Sequence, residues 1–253
     1  MQSNQTNRQN TPSVVQDGGT AAASGFSMGK SLFAEKPESL YQVKRIRCGN
    51  VNCWLVTGSK ALPTNGSVLV DAGRKEDFPR LEQICRQHRV KLILLTHAHP
   101  DHAGSAALLR KSLRIPVALG RLDLPLLEHP NIRPLHCRGW LGKGLLALSR
   151  RELAQPGTPF VPELLLEGGE DFYRYGFSIR AIALPGHTAG SMGYEINHRF
   201  LCTGDAVMNL PWPTPALLFE NGEQAAESTA KIAGLGKRIL CPGHGSQLWN
   251  RQW

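Results

Sequence analysis

The 253-residue chain has six cysteines but no C-x-x-C pair, no apolar run long enough to cross a bilayer, and no continuous apolar segment near its start. The first absence leaves Cys48, Cys53, Cys85, Cys137, Cys202 and Cys241 without a legible framework. Cys202 and Cys241 fall inside apparent core strands, so the set reads as buried thiols of a reducing compartment. Cys48 and Cys53 would pair only in an exported protein. The second absence excludes a membrane span. The third excludes a secretory signal, and Arg8 and Lys30 are too few basic residues for a transit peptide, so a cytoplasmic protein is expected. Residues 1–37 also lack apolar periodicity and are rich in Ser, Thr, Asn, Gln and Gly, which predicts a flexible tail ahead of a single domain over 38–253. Acids are scarce: Asp and Glu number 20 against 29 Lys and Arg. That balance favours anionic small molecules. A nucleic-acid partner is not expected, because no basic run is interleaved with aromatics.

What is present is concentrated in KLILLTHAHPDHAGS, residues 91–105. Lys91 to Leu95 reads as a buried central strand. His97 and His99 follow two apart, and in extended backbone that spacing turns both imidazoles the same way. Pro100 opens a helix that carries Asp101, His102 and the run AGSAALLRKSL. Asp101 and His102 therefore leave the chain at another angle and could serve a second ion nearby. Four ligand-type side chains in six positions at a strand end are a poor match to ordinary solvated loop histidines.

THAHPDHAGS resembles the His-x-His-x-Asp-His motif of the metallo-β-lactamase fold superfamily, and four further motifs of that family follow its order. SVLVDAG supplies Asp71, LPGHTAGSMGY supplies His187, FLCTGDAV supplies Asp205 and ILCPGHG supplies His244. The resemblance implies an α/β fold, a four-layer αββα sandwich, in a hydroxyacylglutathione hydrolase-like or lactonase-like branch. It implies that His97, His99 and His187 bind one divalent ion, that Asp101, His102 and His244 bind a second, and that Asp205 bridges them. Zinc is the expected metal, with iron and manganese as alternatives. Asp71 would accept a hydrogen bond that orients a ligand histidine, though as a strand-end Asp it would also serve as a helix cap. The implied chemistry is hydrolysis of a small ester, lactone or thioester carbonyl by a metal-bound hydroxide, with Asp101 as the catalytic proton carrier.

Departures from the subfamilies sharpen the substrate. Zinc β-lactamases usually carry Cys or Ser where Asp205 stands, which lowers the expectation of β-lactam hydrolysis. Hydroxyacylglutathione hydrolases append a helical domain with glutathione-binding residues, and acyl-homoserine lactonases often place a tyrosine where Met208 stands. Persulfide dioxygenases resemble the same motif set around one iron, and phosphodiester hydrolysis is a further alternative.

The remaining chain is read in outline. YQVKRIRCG, NCWLVTGS and SVLVDAG predict a β-meander, and EDFPRLEQICRQH an amphipathic helix. Gly186 and Gly190 are expected to let the His187 loop approach the ions closely. Residues 121–163 lose the αβ rhythm and read as an insertion roofing the site. In it, Trp140 with Leu141, Leu145 and Leu148 would wall a substrate pocket, while Arg138, Lys143, Arg150 and Arg151 would attract an anionic group. The alternative is a helix packed on the body with a solvated basic face.

Overall fold

A computed structural model describes residues 40–59, 66–154 and 158–253. The expected tail, residues 1–37, lies outside them. β1 (Tyr41–Cys48), β2 (Val51–Gly58) and β3 (Ser67–Val70) form an antiparallel meander. Helix α1 (Phe78–Gln87), with a proline in its first turn, leads to β4 (Val90–Leu94), which pairs parallel with β3. Then come α2 (Pro100–Ala103), α3 (Ala106–Leu113), β5 (Val117–Gly120), β6 (His136–Cys137), α4 (Gly139–Leu153) and β7 (Leu164–Leu166). The six-stranded sheet runs β1-β2-β3-β4-β5-β7.

The second half supplies β8 (Ile179–Ala183), β9 (Met192–Ile196), β10 (Phe200–Gly204), β11 (Val207–Asn209), β12 (Pro213–Pro215) and β13 (Leu218–Phe219). It closes with α5 (Gly222–Gly234), β14 (Ile239–Pro242) and β15 (Leu248–Trp249). A five-stranded sheet runs β15-β14-β10-β9-β8, and two short ribbons pair β11 with β12 and β13 with β6.

Period-two alternation explains the layering, since successive strand residues face opposite sides. Val68, Val70, Leu92 and Leu94 share an inner apolar cluster with Tyr194, Cys202 and Cys241 of the second sheet. Their neighbours Leu69 and Ile93 turn outward onto Leu81 of α1 and Leu109 of α3. On the far side Leu201 and Leu240 pack with Ile232 of α5. Three apolar layers therefore separate four structural ones, the αββα sandwich, and each fully buried Leu or Ile contributes roughly 1.5–3 kcal/mol.

Three details differ from or refine the sequence reading. The helix expected to run on from Pro100 is two helices, broken at Gly104 and Ser105. A Cβ on Gly104 would lie 2.7 Å from the Lys75 nitrogen, and the Ser105 hydroxyl donates to the Arg74 carbonyl, so this turn is pressed onto the β3 exit and cannot continue straight. All six cysteines are free, with the Cys48 and Cys53 sulfurs 3.7 Å apart. Among the described residues, no helix is long and apolar enough to cross a membrane.

Candidate metal centre

Strand ends of both sheets deliver the side chains. His97 and His99 follow β4, Asp101 and His102 lie in α2, His187 lies between β8 and β9, Asp205 follows β10 directly, and His244 follows β14. Polar clamps fix these exits across the sandwich. Asn52 donates to the carbonyls of Pro242 and Gly245 at 2.9 and 2.7 Å, and the Met192 nitrogen donates to the Thr96 carbonyl at 2.7 Å.

The outward-facing nitrogens of four histidines each meet an acceptor. His187 Nδ1 lies 2.8 Å from the Leu218 carbonyl, His244 Nδ1 2.9 Å from the Asn50 carbonyl, and His102 Nδ1 2.9 Å from Asp71 Oδ2. His97 Nδ1 lies 3.1 Å from Thr96 Oγ1, whose own proton goes to Asp71 Oδ2 at 2.9 Å. Each of these nitrogens must therefore carry the hydrogen, which leaves Nε2 of a neutral ring as a bare lone pair. Asp71 thus braces His102 directly and His97 through Thr96. Both its oxygens are engaged there, Oδ1 accepting from the Thr96 nitrogen at 2.7 Å.

Those lone pairs converge. His187 Nε2 is 3.2 Å from His97 Nε2 and 3.1 Å from His99 Nδ1. Asp205 Oδ1 is 3.4 Å from His102 Nε2, while Oδ2 is 3.3 Å from His244 Nε2 and 3.8 Å from His187 Nε2. Asp101 Oδ2 lies 3.7 Å from His244 Nε2. With neutral rings acceptor faces acceptor throughout, an arrangement that repels unless a proton or a cation lies between. His102 Nε2 and Asp205 Oδ1 are buried without a hydrogen-bond partner. The donor atoms of His97, His99 and His187 lie within 4.8 Å of one another, as do those of Asp101, His102 and His244, and those of His97, His102 and Asp205. Nitrogens just over 3 Å apart fit one tetrahedral ion with bonds of about 2.0–2.1 Å. The set fits metal, with Asp205 reaching both groups.

Ionisation follows the same division. Burial, then the charges of His102, His187 and His99, holds His97 well below its usual value; burial and His187 take His99 down to about 3. Burial also opposes charge on His102, but Asp101, Asp205 and Asp71 outweigh it and raise the ring to about 10. His244 is raised by Asp205 and Asp101 against burial. Burial would raise both carboxyls, but His102 and His244 hold Asp101 below the ordinary carboxylate value, and Asp205 well below it. The carboxylates thus favour positive charge on His102 and His244, the charge that a cation would supply in their place.

One residue absent from the sequence reading organises the surroundings. Asp123, fully buried, accepts from the Ala98 nitrogen at 3.2 Å, Thr188 Oγ1 at 2.7 Å, the Gly190 nitrogen at 2.9 Å and Arg133 at 2.7 Å. Arg133 also pairs with Glu220 at 2.8 Å, and Glu220 accepts from the Ala189 nitrogen at 2.8 Å. Burial pushes the Asp123 carboxyl up, against the pull of Thr188, Arg133 and Gly190. This network ties the His97–His99 segment to the His187 loop. Its available signal was position: Asp123 comes shortly after β5, as Asp71 follows β3 and Asp205 follows β10.

The glycines of that loop also serve its supports. A Cβ on Gly190 would lie 2.6 Å from the Asp123 nitrogen, and one on Gly186 would run into the Ala225 backbone at the start of α5. They permit close packing on the supporting elements.

A cavity of about 220 Å³ opens over the cluster, with His99, Asp101, His187, Asp205 and His244 in its lining. Leu145, Leu148 and Leu153 of α4 line it too, whereas Trp140, Leu141 and the basic residues of that helix do not. Trp140 is instead exposed to solvent. The leucine part of the expected wall lines the cavity; its cationic part lies elsewhere.

Comparison with known proteins agrees with this geometry. The model of the metallo-beta-lactamase superfamily matches residues 46–244. A probable metallo-hydrolase of Bacillus subtilis, YflN, is 28% identical over 217 residues, 74% of this chain and 78% of its own. The B3 metallo-beta-lactamase BLEG-1 superposes with a TM-score of 0.64 at 25% identity, over 82% of this chain and 94% of the other. TTHA1623, solved in a di-iron-bound form, superposes at 0.56 with 26% identity over the same shares.

Proposed function

The chain belongs to the metallo-beta-lactamase superfamily, and from that premise we propose that it is a hydrolase holding two divalent ions, zinc in preference to iron or manganese, that cleaves a small ester, lactone or thioester carbonyl. The observation that carries this reading is the convergence of ring lone pairs and carboxylates with every ring hydrogen of His97, His102, His187 and His244 turned outward. His97, His99 and His187 would hold one ion, Asp101, His102 and His244 the other, and Asp205 both. When bound, the ions would lower the pKa of a water and stabilise negative charge developing on the carbonyl oxygen.

The protein's own groups supply the rest. Asp71, Thr96, Asn50 and Leu218 fix the rings, so the donor set is organised before substrate arrives. Asp101 is the acidic ligand with the larger exposure to the cavity, its side chain 19% accessible. It orients the attacking water; the water oxygen bonds to the carbonyl carbon, the bond to the leaving oxygen or sulfur breaks, and Asp101 carries the water's proton to that leaving atom. Ser149 lines the cavity without a base and orienter beside it, so a serine nucleophile has no support.

YflN, named as a probable metallo-hydrolase, supports the reaction class, and the di-iron form of TTHA1623 supports two ions and makes iron the metal to test against zinc. The likeness to BLEG-1 puts β-lactams in the substrate panel. The test is metal content by elemental mass spectrometry, paired with oxygen uptake on a persulfide. About two zinc per chain and no oxygen uptake is the expected result; one iron with oxygen consumed would replace the hydrolase by a dioxygenase.

A further inference from the structure

The cavity has two chemically distinct parts, and we propose that the apolar one binds an unbranched aliphatic chain on the acyl side of the scissile carbonyl, making the substrate a medium-chain acyl ester or thioester. This rests on the hydrolase reading of the same site. Helix α4 presents Leu145, Leu148 and Leu153 to the cavity, and Met208, Leu210 and Leu218 join them from the segment around β11 to β13. None of the basic residues of α4 lines it; among the described residues, Arg74 is the one Lys or Arg that does. On the α4 side the Ser149 hydroxyl is the single polar side chain among these leucines, so a charged group there would find no charged partner.

Two of these side chains are left wet. Leu148 is 78% exposed and Leu210 is 42% exposed. Scattered exposed leucines need no explanation, but these two extend a concave apolar wall that is continuous with the ligand cluster. A chain lying on them removes apolar surface from water and delivers its head group to His99, His187 and Asp101. From Leu145 to Leu153 the helix rises roughly 12 Å, the reach of an extended chain of about eight to ten carbons.

The polar part assigns the other side of the bond. Asn50 and Arg74 line the cavity from the β1–β2 turn and the β3 exit. The β3 exit packs against the Asp101 helix, since a Cβ on Gly104 would lie 2.9 Å from the Arg74 carbonyl carbon. Asp101 Oδ2 lies 3.7 Å from His244 Nε2, and the other nitrogen of that ring meets the Asn50 carbonyl, so Asp101, which returns the proton to the leaving atom, stands beside the polar part. The leaving group is the polar half of the substrate and the acyl chain the apolar half.

The experiment measures kcat/KM of the metal-loaded protein for straight-chain acyl thioesters of two, four, six and eight carbons with one leaving group. In parallel, ligand-observed NMR measures binding of straight-chain methyl ketones of matching length to metal-depleted protein. Each methylene lying on the wall should raise kcat/KM by up to about fourfold, and ketone affinity should rise in step. Leu148→Asp, at an exposed position that folding tolerates, should flatten both trends, and Leu145→Ser should do the same from inside the cavity. Turnover with no dependence on length, or dependence that survives both substitutions, would overturn the chain assignment and leave the hydrolase standing. Loaded protein that turns over no thioester, ester or lactone would remove the hydrolase reading and the acyl assignment with it.

Discussion

Asp123→Asn keeps the shape of the side chain while removing one acceptor and the charge, so it asks how far the His97–His99 segment depends on the His187 loop. One carboxylate oxygen takes Thr188 and Ala98; the other takes Gly190 and Arg133. An amide keeps only one oxygen. If that oxygen faces Gly190 and Arg133, the amide nitrogen faces Thr188, whose hydroxyl can turn to accept, and the Ala98 N–H, which cannot. One buried N–H is orphaned at about 1–3 kcal/mol, and the Arg133 bond falls from roughly 1.5–3 to roughly 0.5–1.5 kcal/mol. Arg133 retains Glu220 and is not stranded. The expected loss is about 2–4 kcal/mol, or roughly 4–16 °C in Tm for a domain of this size. Because Ala98 sits between two ligand histidines, affinity for the first ion should also fall about ten- to a hundredfold. Thermal unfolding with and without metal, together with chelator competition, measures both. A Tm within about 1 °C of wild type and unchanged metal affinity would refute the role given to this network.

Removing a ligand outright is a coarser perturbation: His99→Ala or Asp205→Ala should abolish metal binding and activity together, and full turnover by either in metal-free buffer would sink the mechanism. Gly243→Ala should weaken metal binding without replacing a ligand, because its Cβ would lie 2.6 Å from His102 Cε1 and against Asp205 Oδ1 and so displace both. Chelator titration reads it, and wild-type affinity would count against the packing argument. Loading metal near neutral pH should release a proton from His102, a release that calorimetry in buffers of different ionisation enthalpy detects. The sign for stability follows from His102, raised from 6.5 to about 10. Its charged pairs stabilise the metal-free fold fully below pH 6.5 and lose that contribution as pH rises through about 10. Over the same range metal affinity should rise, because fewer protons compete; a metal-free Tm that climbs from pH 7 to 10 would contradict the assignment.

Local spacing made half of the centre legible. His97, His99, Asp101 and His102 lie within six residues, and the apolar strand before them announces where they emerge. His187, Asp205 and His244 each sit in an unremarkable Gly-containing loop and were reached only through resemblance to a family. What brings them to the first four is the inner apolar layer, where Val70 and Leu94 meet Tyr194 and Cys202, a contact that no local pattern encodes. Asp123 carries a positional signal just after β5, but its role is not legible for the same reason, since its partners lie at Ala98, Arg133, Thr188 and Gly190. Helix α4 was misread in part: its 3.6-residue spacing identified an apolar face, but spacing does not say which of its residues reach the cavity. Leu145 and Leu148 do, while Leu141 of the same face does not.

The centre also explains why its polar frame lies at the edge of the sandwich and not inside it. Seven acceptor-bearing side chains facing one another repel unless protons or cations lie between them, so the fold must hold the rings and carboxylates in place. It does so with bonds directed away from the cluster: Asn50 and Leu218 carbonyls take ring hydrogens, Asp71 takes His102, and Asn52 secures the His244 loop. Asn52 and Asp71 belong to β2 and the β3 exit, strands whose apolar faces are buried in these layers, and Asn50 to the turn that leads into β2. The cost of preorganising the donors is thus met by the core, and a core substitution that lets the sheets shift should degrade metal affinity before it unfolds the protein. Trp54, buried between the sheets with its indole nitrogen donating to the Pro242 carbonyl at 3.1 Å, is the position where that coupling is most direct. Trp54→Phe loses that bond to the β14 exit, two residues from His244, and its effect should appear in affinity for the second ion more than for the first.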